Sequence, residues 1–469
     1  MVKTRFCPSP TGHMHLGNLR TALFNVLLAA KQKGHFLLRI EDTDEERSQE
    51  AYTQMLCNDL SWLGLHWQEG IDVGGEHGPY AQSMRSDIYA QYYQQLIDQK
   101  DAYWCFCSES DLAQQRLSQK AQGKPPRYDG RCRHLSNDEV AEKKAAGQKP
   151  ALRFRMADQG QIAFDDCVKG QQKFRSADIG DFIIQRSDGS AAFMFCNVLD
   201  DSLMGVTHAL RGEDHLTNTP RQMAICQALK IQLPQYGHLA LIVGNDGSPF
   251  SKRHGSQSVC DLREQGLLPI AILNYLARLG HTYTQDTLMD LSELSEHFCL
   301  DRLGKAPAKF DPLQLHYWQK TAMAALPESD FEQWAQAFMP PMDDPIEQQN
   351  AFLDMIRPNI TYASDIKVWA GVLLSDDIEF SEKEVALLLS AGESFLSHCL
   401  AAFTEYGDYA QALNHLKTLS GLKGKALFQP LRLALTGQLG GPDLSAMTAF
   451  MGKEKILARL KATEAKISI

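Results

Sequence analysis

The stretch Thr4-Arg-Phe-Cys-Pro-Ser-Pro-Thr-Gly-His-Met-His-Leu-Gly-Asn18 lies where a strand passes into a helix. Before it, Val2–Cys7 has the character of a short strand. After it, apolar side chains recur at helical spacing over Asn18–Lys33, and Gly34 suits a C-cap. Phe36–Ile40 is a continuous apolar strand, typical of a buried parallel sheet. This β–α–β order predicts a parallel sheet whose ligands bind beyond the carboxyl ends of the strands.

The loop itself has the features of a nucleotide site. A turn at a strand end that opens a helix can hold phosphate against the helix N-terminus. The loop contains neither a Walker sequence nor a G-x-G-x-x-G fingerprint, so another kind of nucleotide site is indicated. His15 can contact phosphate oxygens, and Gly17 lets a nucleotide approach the backbone. Alone, the pattern would fit a capped helix with chance histidines equally well.

Composition and charge exclude several classes of protein. A chain of 469 residues predicts three or more domains. The net charge of −10 argues against non-specific coating of nucleic acid, although a local basic face remains compatible with it. The sequence has no apolar run of about 18 residues and no signal-peptide pattern, so we expect no membrane association and a cytoplasmic location. Its 11 cysteines are then expected to be free thiols or metal ligands.

The composition and hydrophobic pattern of the chain change at two places. From about residue 102 to 181 it becomes polar and rich in Gly and Pro, which predicts an insertion into the sheet domain. Beyond about residue 320 the pattern is helical, with Glu382–Phe403 as one strong amphipathic helix. Between these regions the sequence predicts strands at 182–186, 205–210 and 238–243 and a helix at 220–229.

A second loop, Gly244–Gly255, follows the last of these strands. It contains Ser251, Lys252 and Arg253, and mobile lysines of this kind can stabilise charge on a departing pyrophosphate. By itself it would be interpreted as an exposed basic loop.

Taken together, the two loops resemble the signature elements of class I aminoacyl-tRNA synthetases. His15-Leu-Gly-Asn18 matches the HIGH signature and Phe250-Ser-Lys-Arg253 the KMSKS loop. The resemblance is closest to the bacterial-type glutamyl-tRNA synthetases. It is carried, in the family's order, by Arg5-Phe-Cys-Pro-Ser-Pro-Thr-Gly12, Arg39-Ile-Glu-Asp-Thr-Asp44, Val73-Gly-Gly-Glu-His-Gly-Pro-Tyr80, Arg211-Gly-Glu-Asp-His-Leu-Thr-Asn-Thr-Pro220, Ser251-Lys-Arg-His-Gly255 and Pro430-Leu-Arg-Leu-Ala-Leu-Thr-Gly437.

The resemblance implies ATP-dependent ligation of L-glutamate to the 3′ end of tRNA(Glu), through glutamyl-adenylate, with Mg²⁺ accompanying ATP. It assigns His15 and Lys252 to catalysis at the phosphates. The ATP-binding set would be His15, Gly17, Asn18, Ser251, Lys252 and Arg253. The glutamate-binding set would be Arg5, Ser9, Glu41, Phe193, Asn197 and Arg211.

Two positions depart from the family pattern. Phe193 stands where the family usually has a tyrosine, which puts one hydrogen bond to glutamate in doubt. Pro249 replaces the first lysine of the KMSKS loop, so only Lys252 and Arg253 of that loop's basic residues remain. A weaker stabilisation of pyrophosphate, or a stiffer loop, would follow.

Four metal-ligating side chains occur in closely spaced pairs. Cys105-Phe-Cys107 and Cys132-Arg-His134 are separated by 24 residues. Three cysteines and a histidine can complete a tetrahedral Zn²⁺ site. Such a metal would stabilise the fold of a polar insertion that has few apolar residues. The alternative is a reduced, metal-free segment. The same arrangement resembles the zinc site of some bacterial glutamyl-tRNA synthetases, in which the basic residues between the ligands would face the tRNA acceptor arm.

The expected fold is therefore α/β plus all-α. We predict a Rossmann-like catalytic domain at 1–104 and 182–245 and an inserted acceptor-binding domain with the zinc site at 105–181. A KMSKS-loop and stem-contact domain at 246–320 and a helical anticodon-binding domain at 321–469 would follow. The partners would be tRNA(Glu), glutamate and ATP, and the protein a monomer.

Three alternatives remain open from the sequence. A shortened paralogue that glutamylates a tRNA base lacks the helical module, so the length of the chain argues against it. A non-catalytic RNA-binding descendant is compatible with Phe193 and Pro249, whereas the retained His15, Glu41, Arg211 and Lys252 argue against it. Whether tRNA(Gln) is charged as well depends on anticodon contacts that the sequence does not locate.

Overall fold

The computed structural model describes residues 1–44, 48–248, 257–341, 345–374 and 378–467. The chain forms two compact units. One consists of Met1–Asp261 and Pro269–Trp318, and the other of Leu262–Leu268 and Gln319–Ile469. The boundary between the two units at 318/319 lies two residues from the domain boundary predicted at 320/321. The finer division into four domains stays a prediction.

The first unit begins with the predicted β–α–β motif. Strand β1 (Lys3–Phe6), helix α1 (Leu16–Lys31) and strand β2 (His35–Leu38) follow in order, and β1 pairs with β2 in parallel register, Lys3 opposite His35. A short strand β3 (Glu69–Gly70) extends this sheet beyond β2, also in parallel. The parallel sheet predicted from the opening sequence is thereby confirmed.

A second parallel pair lies beside β1. Strand β9 (His208–Gly212) pairs with β10 (Gln235–Leu239), and β9 is linked to β1 through the Thr207 amide, which donates to the Lys3 carbonyl at 2.9 Å. The carboxyl ends of β1 and β9 therefore open on the same edge, where ligands bind in sheets of this class. The predicted strand at 238–243 is divided between β10 and a short strand β11 (Ile242–Val243), which pairs with β12 (Ala308–Lys309).

The end of α1 differs from the prediction. The left-handed residue that follows the helix is Lys33, with φ of 50°, and Gly34 is not the C-cap. Glycine is nevertheless required at 34, because a Cβ there would lie 2.0 Å from the Val2 carbonyl oxygen. The glycine thus permits a close backbone approach at the start of β2.

The inserted segment forms its own antiparallel sheet. Strands β4 (Ala102–Cys105), β5 (Ala151–Phe154) and β8 (Phe182–Gln185) make this sheet, and β6 (Gln161–Asp166) and β7 (Gly170–Arg175) form a hairpin. The strand predicted at 182–186 as part of the catalytic sheet is therefore corrected. It pairs antiparallel with β5, because Phe182 and Ile183 align with Phe154 and Arg153.

The remaining helices of the first unit surround these sheets. They are α2 (Glu50–Trp62), α3 (Ser86–Asp98), α4 (Glu109–Ala121), α5 (Asn137–Ala145), α6 (Ser176–Ile179), α7 (Phe193–Leu203), α8 (Thr219–Leu229), α9 (Val259–Glu264), which ends in the second unit, α10 (Pro269–Arg278) and α11 (Leu291–His297).

The second unit is helical over its described residues, as predicted. Its helices are α12 (Pro312–Ala325), which begins in the first unit, α13 (Glu328–Gln336), α14 (Ile346–Ile356), α15 (Ala363–Leu374), α16 (Glu382–Leu389), α17 (Phe395–Glu405), α18 (Tyr409–Ser420), α19 (Lys425–Thr436) and α20 (Leu444–Ile467). Helix α20 is interrupted at Gly452, whose φ of 73° is not helical.

The single helix predicted over Glu382–Phe403 is wrong. The segment contains two helices, α16 and α17, separated by a turn. Gly392 adopts a φ of 103° in that turn, and its carbonyl accepts from the Phe395 amide at 3.0 Å. Amphipathic periodicity continues through a break of this length, so the pattern alone did not reveal it.

Candidate functional site

A cavity of about 530 Å³ opens at the carboxyl ends of β1 and β9. The loop after β1, the start of α1, the end of β2, helix α7 and the Arg211–His215 segment all contribute to its wall. All nine predicted ATP- and glutamate-site residues in the described part of the chain line it. They are Arg5, Ser9, His15, Gly17, Asn18, Glu41, Phe193, Asn197 and Arg211.

His15 has a structural role that the sequence did not reveal. It is the N-cap of α1, and its Nδ1 accepts from the Gly17 amide at 3.1 Å and the Asn18 amide at 3.4 Å. An imidazole that accepts at Nδ1 carries its proton on Nε2, so one donor remains for a ligand. Gly17 leaves room for this cap, since a Cβ there would lie 3.0 Å from His15 Cε1 and would crowd the imidazole.

Arg211 is a buried cation whose contacts are all to uncharged groups. Its NH2 group donates to Thr219 Oγ1 at 2.8 Å and to Gln222 Oε1 at 2.7 Å, and its Nε donates to His238 Nε2 at 3.2 Å. The guanidinium also lies 4.7 Å from the ring centre of Tyr236. Burial lowers the pKa of Arg211, and an anionic ligand would stabilise its charged form.

One nitrogen of Arg211 has no partner. NH1 is buried and makes no hydrogen bond within the described part of the chain, and no carboxylate there lies within 4.0 Å of the guanidinium. Buried polar groups without a partner are costly, so such a nitrogen in the wall of a cavity indicates a ligand.

Arg5 in the cavity wall and the buried Arg39 share an acidic partner. Asp201 contacts Arg5 Nε at 3.3 Å and Arg39 NH2 at 2.8 Å, and these cations lower the pKa of this carboxyl against its burial. Arg5 also donates to the Leu210 carbonyl at 3.1 Å, while its NH2 has no partner among the described residues. Arg5 therefore offers one free nitrogen next to Arg211, with its charge largely balanced.

A chain of hydrogen bonds connects the acidic and basic ends of the site. Asn197 Nδ2 donates to Glu41 Oε1 at 2.6 Å, and Gln222 Nε2 donates to Asn197 Oδ1 at 2.9 Å. Gln222 in turn accepts from Arg211. Burial raises the pKa of Glu41, with Arg39 opposing the shift, so a cation bound at Glu41 would stabilise its charged form.

His215 belongs to the site although the sequence analysis did not select it. It lines the cavity, and its ring centre lies 5.2 Å from that of Phe193. Burial, with Arg211 adding to it, lowers the pKa of His215 to about 4, so this imidazole is neutral at pH 7. The signal was present in the quoted motif, where His215 follows Arg211 by four residues, but that motif was used only for its arginine.

The remaining part of the predicted ATP site lies outside the described residues. Ser251, Lys252 and Arg253, together with the departure at Pro249, fall in the gap between 248 and 257. Their predicted roles at the phosphates are therefore not tested by the structure.

The three predicted zinc cysteines lie close together. The Sγ atoms of Cys105, Cys107 and Cys132 all lie within 4.8 Å of one another, and those of Cys107 and Cys132 are 3.7 Å apart. The Tyr128 hydroxyl lies 3.4 Å from the Sγ atoms of Cys105 and Cys107. His134, the fourth predicted ligand, is exposed and lies outside this cluster.

Several basic residues between the predicted ligands are bound within the insertion. Arg127 pairs with Asp178 at 2.8 Å, and Arg131 pairs with Asp129 at 2.8 Å. Arg133 contacts Asp158 and lies 3.4 Å from Asp181. Arg116, Lys120, Lys124 and Arg131 are the exposed basic residues of the segment.

No helix in the described ranges is long and apolar enough to cross a lipid bilayer.

Two family descriptions match the chain. Residues 1–317 match "tRNA synthetases class I (E and Q), catalytic domain", and residues 317–463 match "Anticodon binding domain".

Curated relatives match over nearly the whole length. The chain is 50% identical to glutamate–tRNA ligase 2 of Coxiella burnetii (strain RSA 331 / Henzerling II) over 462 residues, covering 98% of this chain and 99% of the relative. It is 51% identical to glutamate–tRNA ligase 2 of Nitrosococcus oceani over 461 residues, covering 98% of both.

A solved structure agrees with these matches. The glutamate tRNA ligase of Elizabethkingia meningosepticum, crystallised in complex with its amino acid, has a TM-score of 0.87 and 26% identity, and 99% of both chains is covered. Its likeness extends over the catalytic and the helical parts. The chain thus belongs to the glutamate–tRNA ligases of the class I tRNA synthetases.

Proposed function

We propose that this enzyme activates L-glutamate with ATP and transfers it to the 3′ end of tRNA, with Arg211 as the residue that selects glutamate. The observation that carries the assignment is the environment of Arg211. It is a buried guanidinium with an unpartnered NH1 in a cavity wall and without an acidic partner in the described chain. A carboxylate of the substrate supplies the missing counter-charge.

The charge and the free nitrogen of Arg211 explain a preference for an acid over an amide. A carboxylate can accept from NH1 while Nε and NH2 keep their three protein partners, an arrangement that lysine cannot reproduce. Glutamine would leave the buried charge of Arg211 uncompensated, and its amide N–H groups would face further donors. Arg5 assists with the nitrogen that Asp201 leaves free.

The opposite end of the substrate is proposed to meet Glu41. The α-ammonium group is the cation that would stabilise the charged form of this buried carboxylate, and Asn197 holds Glu41 from the other side. Ser9 and Phe193 complete the wall of this subsite. Phe193 contributes its ring and contact with His215, without the hydroxyl of a tyrosine.

ATP is proposed to lie over the start of α1. The α-carboxylate of glutamate attacks the α-phosphorus, and a terminal hydroxyl of the tRNA then takes the acyl group from the adenylate. No side chain acts as a nucleophile, so the protein contributes positioning and charge stabilisation. His15 Nε2–H would donate to phosphate, Gly17 and Asn18 would lie against the nucleotide, and Mg²⁺ would neutralise phosphate charge when bound. Ser251, Lys252 and Arg253 would serve the departing pyrophosphate.

The helical unit is proposed to bind the anticodon of tRNA(Glu), in line with the domain description that matches 317–463. The protein is proposed to act as a monomer. Charging of tRNA(Gln) remains an alternative, which parallel aminoacylation of the two purified tRNAs decides.

Replacing Arg211 tests the selection of glutamate. In Arg211→Gln the cation and its free NH1 donor are lost, and we expect KM for glutamate to rise by at least about 30-fold, as for a lost charged hydrogen-bond pair. Arg211→Lys should recover little, because one ammonium group cannot reach the carboxylate and also replace the bonds that Nε and NH2 make to His238, Thr219 and Gln222. Arg175→Lys, at an exposed guanidinium paired with Asp178, is the control. Unchanged KM in both Arg211 variants would refute the assignment.

We further propose that Cys105, Cys107 and Cys132 hold a structural Zn²⁺ ion. Three thiol sulfurs from two chain segments meet in a small cluster with Tyr103, Tyr128 and Leu135. Thiolates are the ligands that Zn²⁺ prefers, and the metal would join two segments that are separated by 24 residues in the chain.

Metal analysis of purified variants tests the zinc proposal. About one zinc per chain is expected, and Cys132→Ser should lose it. Cys167→Ser, at a cysteine outside the cluster, should retain it. Comparing His134→Ala with Tyr128→Phe identifies the fourth ligand, since only loss of a ligand lowers the zinc content. A protein without zinc before any substitution would refute the site.

A further inference from the structure

We infer that Asp166 and His238 form a positioning pair that fixes the orientation of Arg211, and that this pair ties the glutamate subsite to the β6–β7 hairpin of the inserted segment. The inference deepens the proposed function, since it rests on Arg211 as the residue that binds the substrate carboxylate.

The pair is completely enclosed. His238 has no exposed surface and Asp166 is 4% exposed. His238 Nδ1 lies 2.5 Å from Asp166 Oδ2, and His238 Nε2 accepts from Arg211 Nε at 3.2 Å. A buried carboxylate, an imidazole and a guanidinium are therefore connected in series.

The partners determine the tautomer of His238. Arginine can only donate, so Nε2 must be unprotonated, while the carboxylate on the other side calls for a proton on Nδ1. The imidazole is then neutral, in agreement with a pKa that burial lowers and Arg211 lowers further. Asp166 thus acts on Arg211 indirectly, by fixing the proton of His238 on Nδ1. It does not contact the guanidinium, so the positive charge of Arg211 remains available to the substrate.

Asp166 is itself held rigidly. Its Oδ1 accepts from the amides of Val168 at 2.9 Å, Lys169 at 2.8 Å and His238 at 3.1 Å. Its pKa is lowered, because the hydrogen bonds from His238 and from these amides outweigh its burial. A carboxylate with this many donors holds the imidazole in one position.

The hairpin contacts β10 and the residue that follows β9. The Cys167 amide donates to the carbonyl of Tyr236 at 2.8 Å, two residues before His238 on β10. Lys169 pairs with Glu213, two residues beyond Arg211. The end of β6 and the turn that follows therefore contact the strand that carries His238 and the segment just beyond Arg211. A displacement of this hairpin would move His238 and so change where the guanidinium points.

Substitution of Asp166 separates positioning from mere packing. In Asp166→Asn the amide would donate to Nδ1, and the proton of His238 would move to Nε2, opposite the Arg211 N–H. We expect KM for glutamate to rise about 10- to 100-fold, with KM for ATP and kcat changed less than about threefold. Asp165→Asn, at the exposed neighbouring carboxylate, is the matched control and should leave all three constants unchanged.

Two substitutions of His238 guard against a folding defect in the first variant. His238→Gln retains an oxygen that can accept from Arg211 and should recover part of the affinity that His238→Leu loses. The thermal melting temperature of each variant is measured, and KM values are compared only among variants whose melting temperatures agree. Glutamate KM within about twofold of the unmodified enzyme in Asp166→Asn and His238→Leu would overturn the inference, as would an equal rise in KM for ATP.

The Arg211→Gln variant distinguishes the two ways of failing. If it raises KM for glutamate while Asp166→Asn does not, the positioning pair is wrong and the role of Arg211 stands. If Arg211→Gln leaves KM unchanged, the assignment of Arg211 fails, and the positioning role fails with it.

Discussion

At the scale of single residues, His15 caps a helix, and we propose that it also serves the chemistry. Its Nδ1 caps α1, and the same hydrogen bonds leave Nε2 as a donor at the mouth of the cavity. The two roles can be separated because asparagine is also a favourable N-cap, whereas alanine is not.

Replacement of His15 by Asn and by Ala should give different results. His15→Asn should keep the stability within about 0.5 kcal/mol, and His15→Ala should lose about 1 kcal/mol with the cap. Both should lower the rate of adenylate formation, because both lack the Nε2 donor. Urea unfolding and pre-steady-state adenylate formation measure the two effects. Full activity in His15→Asn would restrict His15 to the cap.

Nine residues that line the cavity could be selected from the sequence because they lie in short motifs next to strand ends. What those residues contact could not be predicted. Arg211 was predicted to bind a carboxylate, but its partner His238 lies 27 residues away in sequence, and Asp166 lies 72 residues from His238. Only the pairing of β9 with β10 and the placement of the hairpin bring the three together.

At the scale of elements, a glycine in the loop between α19 and α20 permits close packing against α15. Gly441 has a φ of 136°, and a Cβ there would lie 2.0 Å from Trp369 Cη2 on α15. Its neighbour Gly440 has open space at the Cβ position. A Cβ atom therefore has space at position 440 but collides with Trp369 at position 441.

Alanine substitutions at these two positions should separate the loss of stability caused by a collision with Trp369 from the effect of replacing a glycine in this loop. Gly441→Ala should destabilise the protein by at least about 2 kcal/mol, because the side chain is strained at this φ and collides with the indole. Gly440→Ala should change stability by less than about 1 kcal/mol. Thermal melting of the two variants tests this, and equal melting temperatures would contradict the packing at Trp369.

The elements were predicted well where the pattern is local and poorly where pairing decides. The helix α1 and strands β1 and β2 follow from their own periodicity. The membership of β8 in the antiparallel sheet depends on β5, some 30 residues earlier in the chain, and its apolar sequence fits either sheet. The break between α16 and α17 depends on the φ of Gly392, which the hydrophobic period does not reveal.

At the scale of the whole molecule, buried neutral histidines make stability depend on pH. His281 is 4% exposed, and burial lowers its pKa to about 4; burial also lowers the pKa of His238. In the unfolded chain a histidine binds a proton near pH 6.5. The unfolded state therefore binds more protons between that pH and the lowered value, and stability falls as the pH falls through this window.

The pH effect of His281 can be isolated. Between about pH 7 and about pH 5.5 we expect the free energy of unfolding to fall by about 1 kcal/mol from this residue alone. Urea unfolding at both pH values should show a smaller difference in His281→Gln, whereas His66→Gln, at an exposed histidine, should behave like the unmodified protein. A pH dependence unaffected by His281→Gln would refute the assignment.

The central claim is that the cavity at the ends of β1 and β9 activates glutamate and selects it through Arg211. Exchange of labelled pyrophosphate into ATP measures this step most directly, with purified tRNA(Glu) present because the family resemblance implies that tRNA is required. We predict exchange with L-glutamate, none above background with L-glutamine, and its loss at subsaturating glutamate in Arg211→Gln. Absence of glutamate-dependent exchange with any tRNA, or equal exchange with glutamine, would contradict the claim.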